Sequence, residues 1–156
     1  MTPSERSAVN YDHPDALDVE LFIAHMDGLA AGHSVKVPEY DMSTHTRTGG
    51  HYQLDPAPLV VVDGILLMAV EECRERLDLK VFVDAPREVR LARRLVRDVE
   101  ERGRNPQSVE EQFMTSVEPM HRSLVLPSSQ HADLKFEHPF DPVAAAERVV
   151  AEISSS

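Results

Sequence analysis

Short apolar runs alternate with helical patterns along most of the chain. Continuous apolar runs at 59–62 and 81–83 each end in an acidic residue, Asp63 or Asp84, and a third, weaker run covers 134–136. Stretches of helical period lie between and after them. Runs of this kind are typical of buried parallel strands. The pattern therefore predicts an α/β fold in which helices connect the strands of a sheet.

Several predicted helices have marked starts. The first follows Pro14 and has one apolar face, made of Val19, Phe22, Ile23 and Met26. Asn105 and Asp141 each precede a proline, which predicts a capped helix start at both places. Asp84, followed by Pro86, is predicted to cap the helix after the second strand.

A different pattern separates the first helix from the first apolar run. Residues 34–40 and 51–55 are predicted to form two short antiparallel strands. The stretch between them is polar and ends in Gly49-Gly50, which is a turn signal. We expect a β-hairpin flap over 34–55.

Composition narrows the class of protein. The chain has 156 residues, 42% of them hydrophobic, which is enough for one domain over 1–156. Its net charge of −11 argues against broad contact with nucleic acid or an anionic membrane. The longest apolar stretch is shorter than the roughly 18 residues that span a bilayer. The single cysteine, Cys73, and an amino end without an apolar signal predict a cytoplasmic protein.

The positive charge is concentrated in one segment. Seven of the sixteen cationic residues lie between Arg87 and Arg104. On a helix, five of them share an arc of about 120°, and these are Arg87, Arg90, Arg93, Arg94 and Arg97. The opposite arc is apolar and is predicted to face the core; it contains Leu91, Ala92, Leu95, Val96 and Val99.

Two interpretations of this arginine face remain open. It is either a solvated face paired with nearby acids, namely Asp98, Glu100 and Glu101, or a clamp for polyphosphate. Guanidinium groups bind phosphate oxygens through paired hydrogen bonds, and Arg102-Gly103-Arg104 adds a flexible cationic loop. The clamp is the favoured hypothesis.

Asp63 is the candidate metal ligand. It follows the first apolar run, at the end of a predicted strand, where open α/β sheets bind ligands. A carboxylate there suits a hydrated Mg²⁺ beside a nucleotide, although capping of the following helix explains it equally well. The histidines form no metal-binding spacing, so we predict no zinc site.

Five segments of the chain together resemble uridine/cytidine kinases. They are NYDHPDALD (10–18), VPEYDMSTHTR (37–47), VVVDGILL (60–67), LKVFVDAPREVRLARRLVRDVEERGR (79–104) and QHAD (130–133). The resemblance is to the phosphoribulokinase/uridine kinase group of P-loop kinases and covers residues 2–153. It implies a three-layer α/β/α kinase fold with a mostly parallel sheet, a hairpin flap, and an arginine-rich helix and lid over 87–122.

The resemblance also implies roles for particular residues. Asp12 would bind the ribose hydroxyls, and Tyr40 and His45 would contact the pyrimidine. The remaining nucleoside-binding residues would be Arg94, Arg104 and Gln112. Arg97 and Arg102 would reach the phosphates of ATP, Asp141 would lie near the adenine, and Asp63 would be the Mg²⁺ ligand.

The implied activity is transfer of the ATP γ-phosphate to the 5′-hydroxyl of uridine or cytidine in pyrimidine salvage. ATP and Mg²⁺ are the implied cofactors. The implied partners are small molecules, with no nucleic acid or membrane, in a homotetramer. Two alternatives stay open: a non-catalytic nucleoside- or nucleotide-binding or regulatory module, and a kinase for another small hydroxyl substrate.

The sequence departs from the family in one large respect. Family members begin with a strand and a GxxxxGK[ST] phosphate loop, then a helix, a second strand and the catalytic Asp. None of the 156 residues matches that loop. We therefore expect an incomplete kinase fold, truncated at its amino end, whose strands at 59–62 and 81–83 flank a gap. We expect this chain to be marginally stable and inactive by itself.

Smaller departures affect the predicted site. Asp63 replaces the usual glutamate and is one methylene shorter, so we expect it to contact Mg²⁺ either directly or through a bridging water. Met42 stands where an aromatic residue is common, and Glu39 where the family has an apolar residue. We leave the choice between uridine and cytidine open.

Overall fold

A computed structural model describes residues 9–41, 44 and 46–155 of the chain. The chain divides into two compact units, Met1–Arg76 and Leu77–Ser156. The single domain over 1–156 stays a prediction. No helix among the described residues is long and apolar enough to cross a membrane.

The first unit combines one long helix with a hairpin. Its elements are a 3₁₀ turn at Pro14–Ala16, α1 at Val19–Ala30, β1 at Val35–Asp41, β2 at Thr46–Leu54 and α2 at Glu71–Arg74. The Asp18 carboxylate accepts the backbone N–H of Leu21 at 3.1 Å and so caps α1. The predicted apolar face of α1 is half-buried, and Leu29 is its buried residue.

The hairpin has the predicted antiparallel arrangement but different bounds. Val35 pairs with Leu54 at one end, and Asp41 pairs with Thr46 at the other. The second strand therefore starts at Thr46, before the predicted residue 51. Gly49-Gly50 lies inside β2, so the turn predicted there is wrong. The register of the pair shifts near this point, and the positive φ of Gly49, 87°, fits such an irregularity in a strand.

The strand predicted at 59–62 is wrong. These residues belong to no strand, and Leu59 and Val61 are 58% and 83% exposed. A strand of continuous apolar residues is stable when neighbouring strands and helices cover it, and no strand in the described part of the chain pairs with this segment. Asp63 consequently does not lie at a strand end. The chain becomes buried again only at Leu66.

The second unit contains a parallel strand pair and most of the helices. Its strands are β3 at Val81–Asp84 and β4 at Leu134–Glu137. Its helices are α3 at Arg87–Glu100, α4 at Pro106–Gln112, α5 at Glu118–Met120, α6 at Leu126–Ser128 and α7 at Pro142–Ser155. β3 and β4 confirm two predicted strands. Among the described residues, they are the whole of the parallel sheet.

The core of the second unit lies against β4. Leu134 and Phe136 pack with Ala145 of α7, and Val81 and Val149 cover the edge of this cluster. Leu134 and Phe136 point to the same side because residues two apart in a strand share a face. The helix that follows β4 therefore covers that face of the sheet.

Residues 106–131 are helical but irregular. Two π-helical segments, Phe113–Val117 and His121–Val125, precede α5 and α6, and a 3₁₀ turn at Ser129–His131 ends the stretch. Pro119 and Pro127 lie in the short α segments. Proline has no N–H for the i−4 hydrogen bond, which favours a local change of helical pitch.

Two of the three predicted caps are confirmed. The Asn105 side chain accepts the N–H of Gln107 at 2.9 Å, and the Asp141 side chain accepts the N–H of Val143 at 2.9 Å. The cap predicted for Asp84 is wrong, because α3 begins three residues later and has no side-chain cap. The Asp84 carboxylate instead accepts the neighbouring N–H of Ala85 at 2.8 Å.

Candidate functional site

One buried carboxylate lies within 4 Å of four guanidinium groups at the end of α3. Asp98 has no exposed surface. Its Oδ1 accepts a hydrogen bond from Nε of Arg97 at 2.8 Å and lies 3.5 Å from Nη1 of Arg102. Its Oδ2 lies 3.5 Å from Nε of Arg94 and 3.4 Å from Nη1 of Arg104. We call Asp98 with these four arginines the Asp98 cage.

The local backbone explains why these residues meet. Arg94 lies four positions before Asp98 on α3, a spacing that puts both side chains on one helix face, and Arg102 lies in the turn after the helix. Gly103 has a positive φ of 61°, which turns the chain back at the end of the helix. The N–H of Arg104 then donates to the carbonyl of Asp98 at 3.0 Å. The turn thus returns a fourth guanidinium to the buried carboxylate.

Gln112 of α4 joins one side of the cage. Its Oε1 accepts hydrogen bonds from Arg94 Nη2 at 3.0 Å and from Arg104 Nη1 at 2.8 Å. The structure thus brings together the three residues predicted to bind the nucleoside from this unit. A single amide oxygen and a single carboxylate oxygen fix both guanidinium groups.

The other side of the cage faces solvent. The side chains of Arg97 and Arg102 are 43% and 41% exposed, compared with 34% for Arg104 and 19% for Arg94. Each guanidinium has five N–H donors, so contact with Asp98 leaves donors for another anion. Arg97 and Arg102 are the residues predicted to reach phosphates.

A second buried acid holds the first part of α3. Glu118 is 8% exposed and accepts hydrogen bonds from Arg90 Nη2 at 2.8 Å and from Arg122 Nε at 2.7 Å. Arg87 and Arg90 also lie over the Phe113 ring, 6.0 and 5.9 Å from its centre. Burial favours the neutral acid, but the hydrogen bonds from Arg122 and Arg90 outweigh it and lower the pKa of Glu118.

The predicted pairing of the arginine face with Asp98 is confirmed, but Asp98 is buried and so does not belong to a solvated face. The guanidinium groups of the arginine face pair mainly with the buried acids Asp98 and Glu118. The prediction that the opposite arc faces the core is only partly right. Leu91, Leu95 and Val99 are half-buried, whereas Ala92 and Val96 are exposed, Val96 by 57%.

Sequence reasoning missed both Asp98 and Glu118 as central residues. Asp98 was considered only as a surface partner of the arginines. A signal was present, since an acid four residues after one arginine and four before another can contact both. Glu118 has the same spacing to Arg122, but that spacing does not predict that the carboxylate is buried.

The predicted residues of the first unit are more dispersed along it. Asp12 is half-buried, and its N–H donates to Oδ1 of Asn10 at 3.1 Å. Tyr40 lies on β1, is 44% exposed and pairs with Arg47 across the hairpin. His45 and Met42 lie outside the described residues.

The hairpin is attached to the start of α1. Nη2 of Arg47 donates to Oδ2 of Asp18 at 2.7 Å. This hydrogen bond, together with that from the Leu21 N–H, lowers the pKa of Asp18. Arg47 is the last residue of the His-Thr-Arg sequence of the flap. Its side chain therefore has a structural role, which is to link the hairpin to the residue that caps α1.

The remaining predicted residues are exposed. Asp63 lies in the irregular segment before Leu66, and Asp141 caps α7. Within the described ranges, no group of three or more histidine, cysteine or acidic side chains is arranged to hold a metal ion. A metal held at Asp63 would thus take its other ligands from water or a substrate.

An open pocket lies at the carboxyl ends of β3 and β4. Its volume is about 170 Å³. The residues that line it are Asp84, Ala85, Pro86, Glu137 and His138. Open α/β sheets bind ligands at this end of their strands.

Comparison with known proteins gives a consistent result. Residues 2–141 match the model of the Phosphoribulokinase / Uridine kinase family. The chain is 42% identical over 152 residues to a uridine kinase of Chloroflexus aurantiacus, which covers 97% of this chain and 73% of that protein. It is 46% identical over 133 residues to a uridine kinase of Deinococcus deserti, covering 85% of this chain and 64% of that protein. A uridine kinase of Clostridium perfringens is 38% identical over 153 residues, covering 98% and 74% of the two chains.

Proposed function

The chain belongs to the phosphoribulokinase/uridine kinase family, and we propose that it carries the pyrimidine-nucleoside and phosphate contacts of a uridine or cytidine kinase. The proposed reaction is transfer of the γ-phosphate of ATP to the 5′-hydroxyl of the nucleoside. In that role the protein acts in pyrimidine salvage, as a homotetramer by analogy with the family.

The Asp98 cage is the observation that supports this proposal most strongly. Phosphoryl transfer depends mainly on positioning the reactants and on neutralising charge that spreads over phosphate oxygens. Arg97 and Arg102 offer exposed donors for that charge. Arg94 and Arg104 are held with Gln112 as one hydrogen-bonded group, which suits recognition of an uncharged polar ligand such as a nucleoside.

The proposal assigns the first unit to the nucleoside as well. Asp12 is proposed to accept hydrogen bonds from the ribose hydroxyls. Tyr40 and His45 are proposed to contact the pyrimidine ring, which the exposed phenol of Tyr40 permits. Asp141 is proposed to lie near the adenine of ATP.

Asp63 fits a magnesium ion of the kind that accompanies ATP. Mg²⁺ keeps several waters and is bound through one or two carboxylates and substrate phosphates. One exposed carboxylate therefore meets the requirement. A bound Mg²⁺ would supply positive charge that offsets the negative charge of the ATP phosphates.

Nucleoside binding is tested by calorimetric titration of the 156-residue chain with uridine, cytidine and adenosine. We expect saturable binding of the two pyrimidine nucleosides and weaker binding of adenosine. Gln112→Ala should weaken uridine binding about tenfold, because it removes the acceptor shared by two guanidinium groups. Gln107→Ala, at an exposed position of the same helix, is the matched control and should leave the affinity unchanged. Equal affinity for adenosine, or no effect of Gln112→Ala, would contradict the proposal.

Phosphorylation of the bound nucleoside is tested separately from binding. One observation favours a second candidate function, in which this chain binds without phosphorylating. The 156 residues contain no GxxxxGK[ST] phosphate loop. We propose that this chain, assayed by itself, binds nucleoside without phosphorylating it and so behaves as a binding or regulatory module. Formation of uridine monophosphate from uridine and ATP by the purified chain would refute this second proposal. Competition between uridine and other small hydroxyl compounds would identify a different substrate.

A further inference from the structure

We propose that Asp98 is a positioning residue that couples nucleoside binding to phosphate binding. It rests on the proposed function, which assigns Arg97 and Arg102 to phosphate and Arg94 and Arg104 to the nucleoside. It concerns a residue that need not touch either ligand. Its role is to connect the two pairs of guanidinium groups that do.

The two oxygens of Asp98 divide the arginines by their proposed ligands. Oδ1 contacts Arg97 and Arg102, the pair proposed for phosphate. Oδ2 contacts Arg94 and Arg104, the pair that shares Gln112 and is proposed for the nucleoside. One carboxylate is therefore the common partner of both pairs.

Burial makes this carboxylate a sensitive link. Asp98 has no exposed surface, so the surrounding guanidinium groups, and not water, compensate its charge. Displacement of one pair would change the charge compensation of the carboxylate that the other pair also contacts. A nucleoside that fixes Arg94 and Arg104 should fix the carboxylate, and the carboxylate should then hold Arg97 and Arg102 in place for an anion. We therefore expect positive coupling.

The coupling is measured as a ratio of affinities. Uridine is titrated into the full chain with and without saturating inorganic tripolyphosphate, the probe for the phosphate pair. In the unsubstituted chain we expect uridine to bind about fivefold more tightly when the probe is present, at the low end of usual coupling. By reciprocity, uridine should raise the affinity for tripolyphosphate by the same factor.

Asp98→Asn retains the shape of the side chain but removes its charge and one acceptor. The expected affinity ratio in this variant is one. Glu100→Gln removes the same charge from an exposed position two residues away and should keep the fivefold ratio. If Asp98 had only a structural role, the substitution would change the affinity for uridine equally with and without tripolyphosphate, and the ratio of these two affinities would stay the same. The same ratio in Asp98→Asn and in the unsubstituted chain would overturn the proposal.

A second measurement needs no variant at Asp98. In ¹⁵N-labelled unsubstituted chain, uridine should shift the Nε–H resonance of Arg97, which contacts Asp98 rather than the proposed nucleoside group. An unchanged Arg97 resonance during saturable uridine binding would overturn the coupling while leaving the proposed function intact. This arm applies even if Asp98→Asn does not fold.

Failure of uridine to bind would refute the proposed function instead. The coupling is then judged with tripolyphosphate alone, by comparing Gln112→Ala in the unsubstituted chain and in the Asp98→Asn background. Coupling predicts that Gln112→Ala changes tripolyphosphate affinity severalfold only when Asp98 is present. No effect in either background, or no tripolyphosphate binding at all, would overturn it.

Discussion

Replacement of Glu118 by glutamine should destabilise the fold around the start of α3. The carboxylate is 8% exposed and accepts hydrogen bonds from Arg90 and Arg122. Glutamine has nearly the same shape but no charge. It keeps one acceptor oxygen and places an amide N–H₂ group against a guanidinium.

The magnitude follows from the exposure of the partners. Removing one member of a buried ion pair costs about 3–5 kcal/mol when the other charge stays buried. Here the side chains of Arg90 and Arg122 are 23% and 70% exposed, so water can solvate both after the substitution. The loss is therefore closer to that of a hydrogen bond to a charged group, about 2 kcal/mol. For a chain of this size it corresponds to a Tm lower by about 4–8 °C.

The pH dependence gives an independent check. The pKa of Glu118 is below its ordinary value of 4.5 in the folded chain, so the folded state favours the charged form. Its contribution is therefore present above pH 4.5 and is lost as the pH falls through the lower, folded pKa. The stability deficit of Glu118→Gln should be full at pH 7 and should shrink below pH 4.5.

The assay is urea and thermal unfolding followed by far-UV circular dichroism at several pH values. Glu110→Gln, at an exposed position of α4, is the control and should change stability by less than about 0.5 kcal/mol. A Glu118→Gln variant as stable as this control at pH 7 would refute the reasoning. So would a deficit that persists unchanged at pH 3.

Three further predictions concern other parts of the chain. Asn105→Ala removes the cap of α4 and should lower the free energy of unfolding by about 1 kcal/mol, measured with urea; unchanged stability would contradict the capping role. Cys73 is 4% exposed and burial raises the pKa of its thiol, so iodoacetamide should modify it slowly in the native chain and fully in urea; rapid native modification would show that it is accessible. Val61→Lys, at a position 83% exposed, should leave Tm nearly unchanged and reduce self-association in light scattering; unaltered association would exclude this segment as a contact.

Local chemistry was largely readable from the sequence. Asn105 and Asp141 precede proline and cap their helices as predicted, because a cap depends on residues within one turn. Strands β3 and β4 were predicted from their apolar runs. The grouping of Arg94 with Arg97 followed from helical spacing alone.

Features that depend on a distant partner were not readable. The run at 59–62 has a strand pattern, but no strand of the described chain pairs with it, and Leu59, Val60 and Val61 are exposed. The burial of Asp98 and Glu118 was not readable either, because acids are rarely buried and spacing to arginines does not by itself indicate burial. Two details of the hairpin also depend on pairing with β1. The second strand begins at Thr46, earlier than predicted, and Gly49 lies inside it.

The most direct test of the proposed function is to locate uridine on the protein. In ¹⁵N-labelled chain titrated with uridine, the Nε–H resonances of Arg94 and Arg104 and the side-chain amide of Gln112 should shift and saturate with one dissociation constant. The Nε–H resonance of Arg148, which lies 5.5 Å from the Phe136 ring centre, is the internal control and should not move. Saturable shifts at these three residues without a shift at Arg148 would support nucleoside binding at the Asp98 cage. Unchanged resonances at these residues, or an equal shift at Arg148, would contradict it.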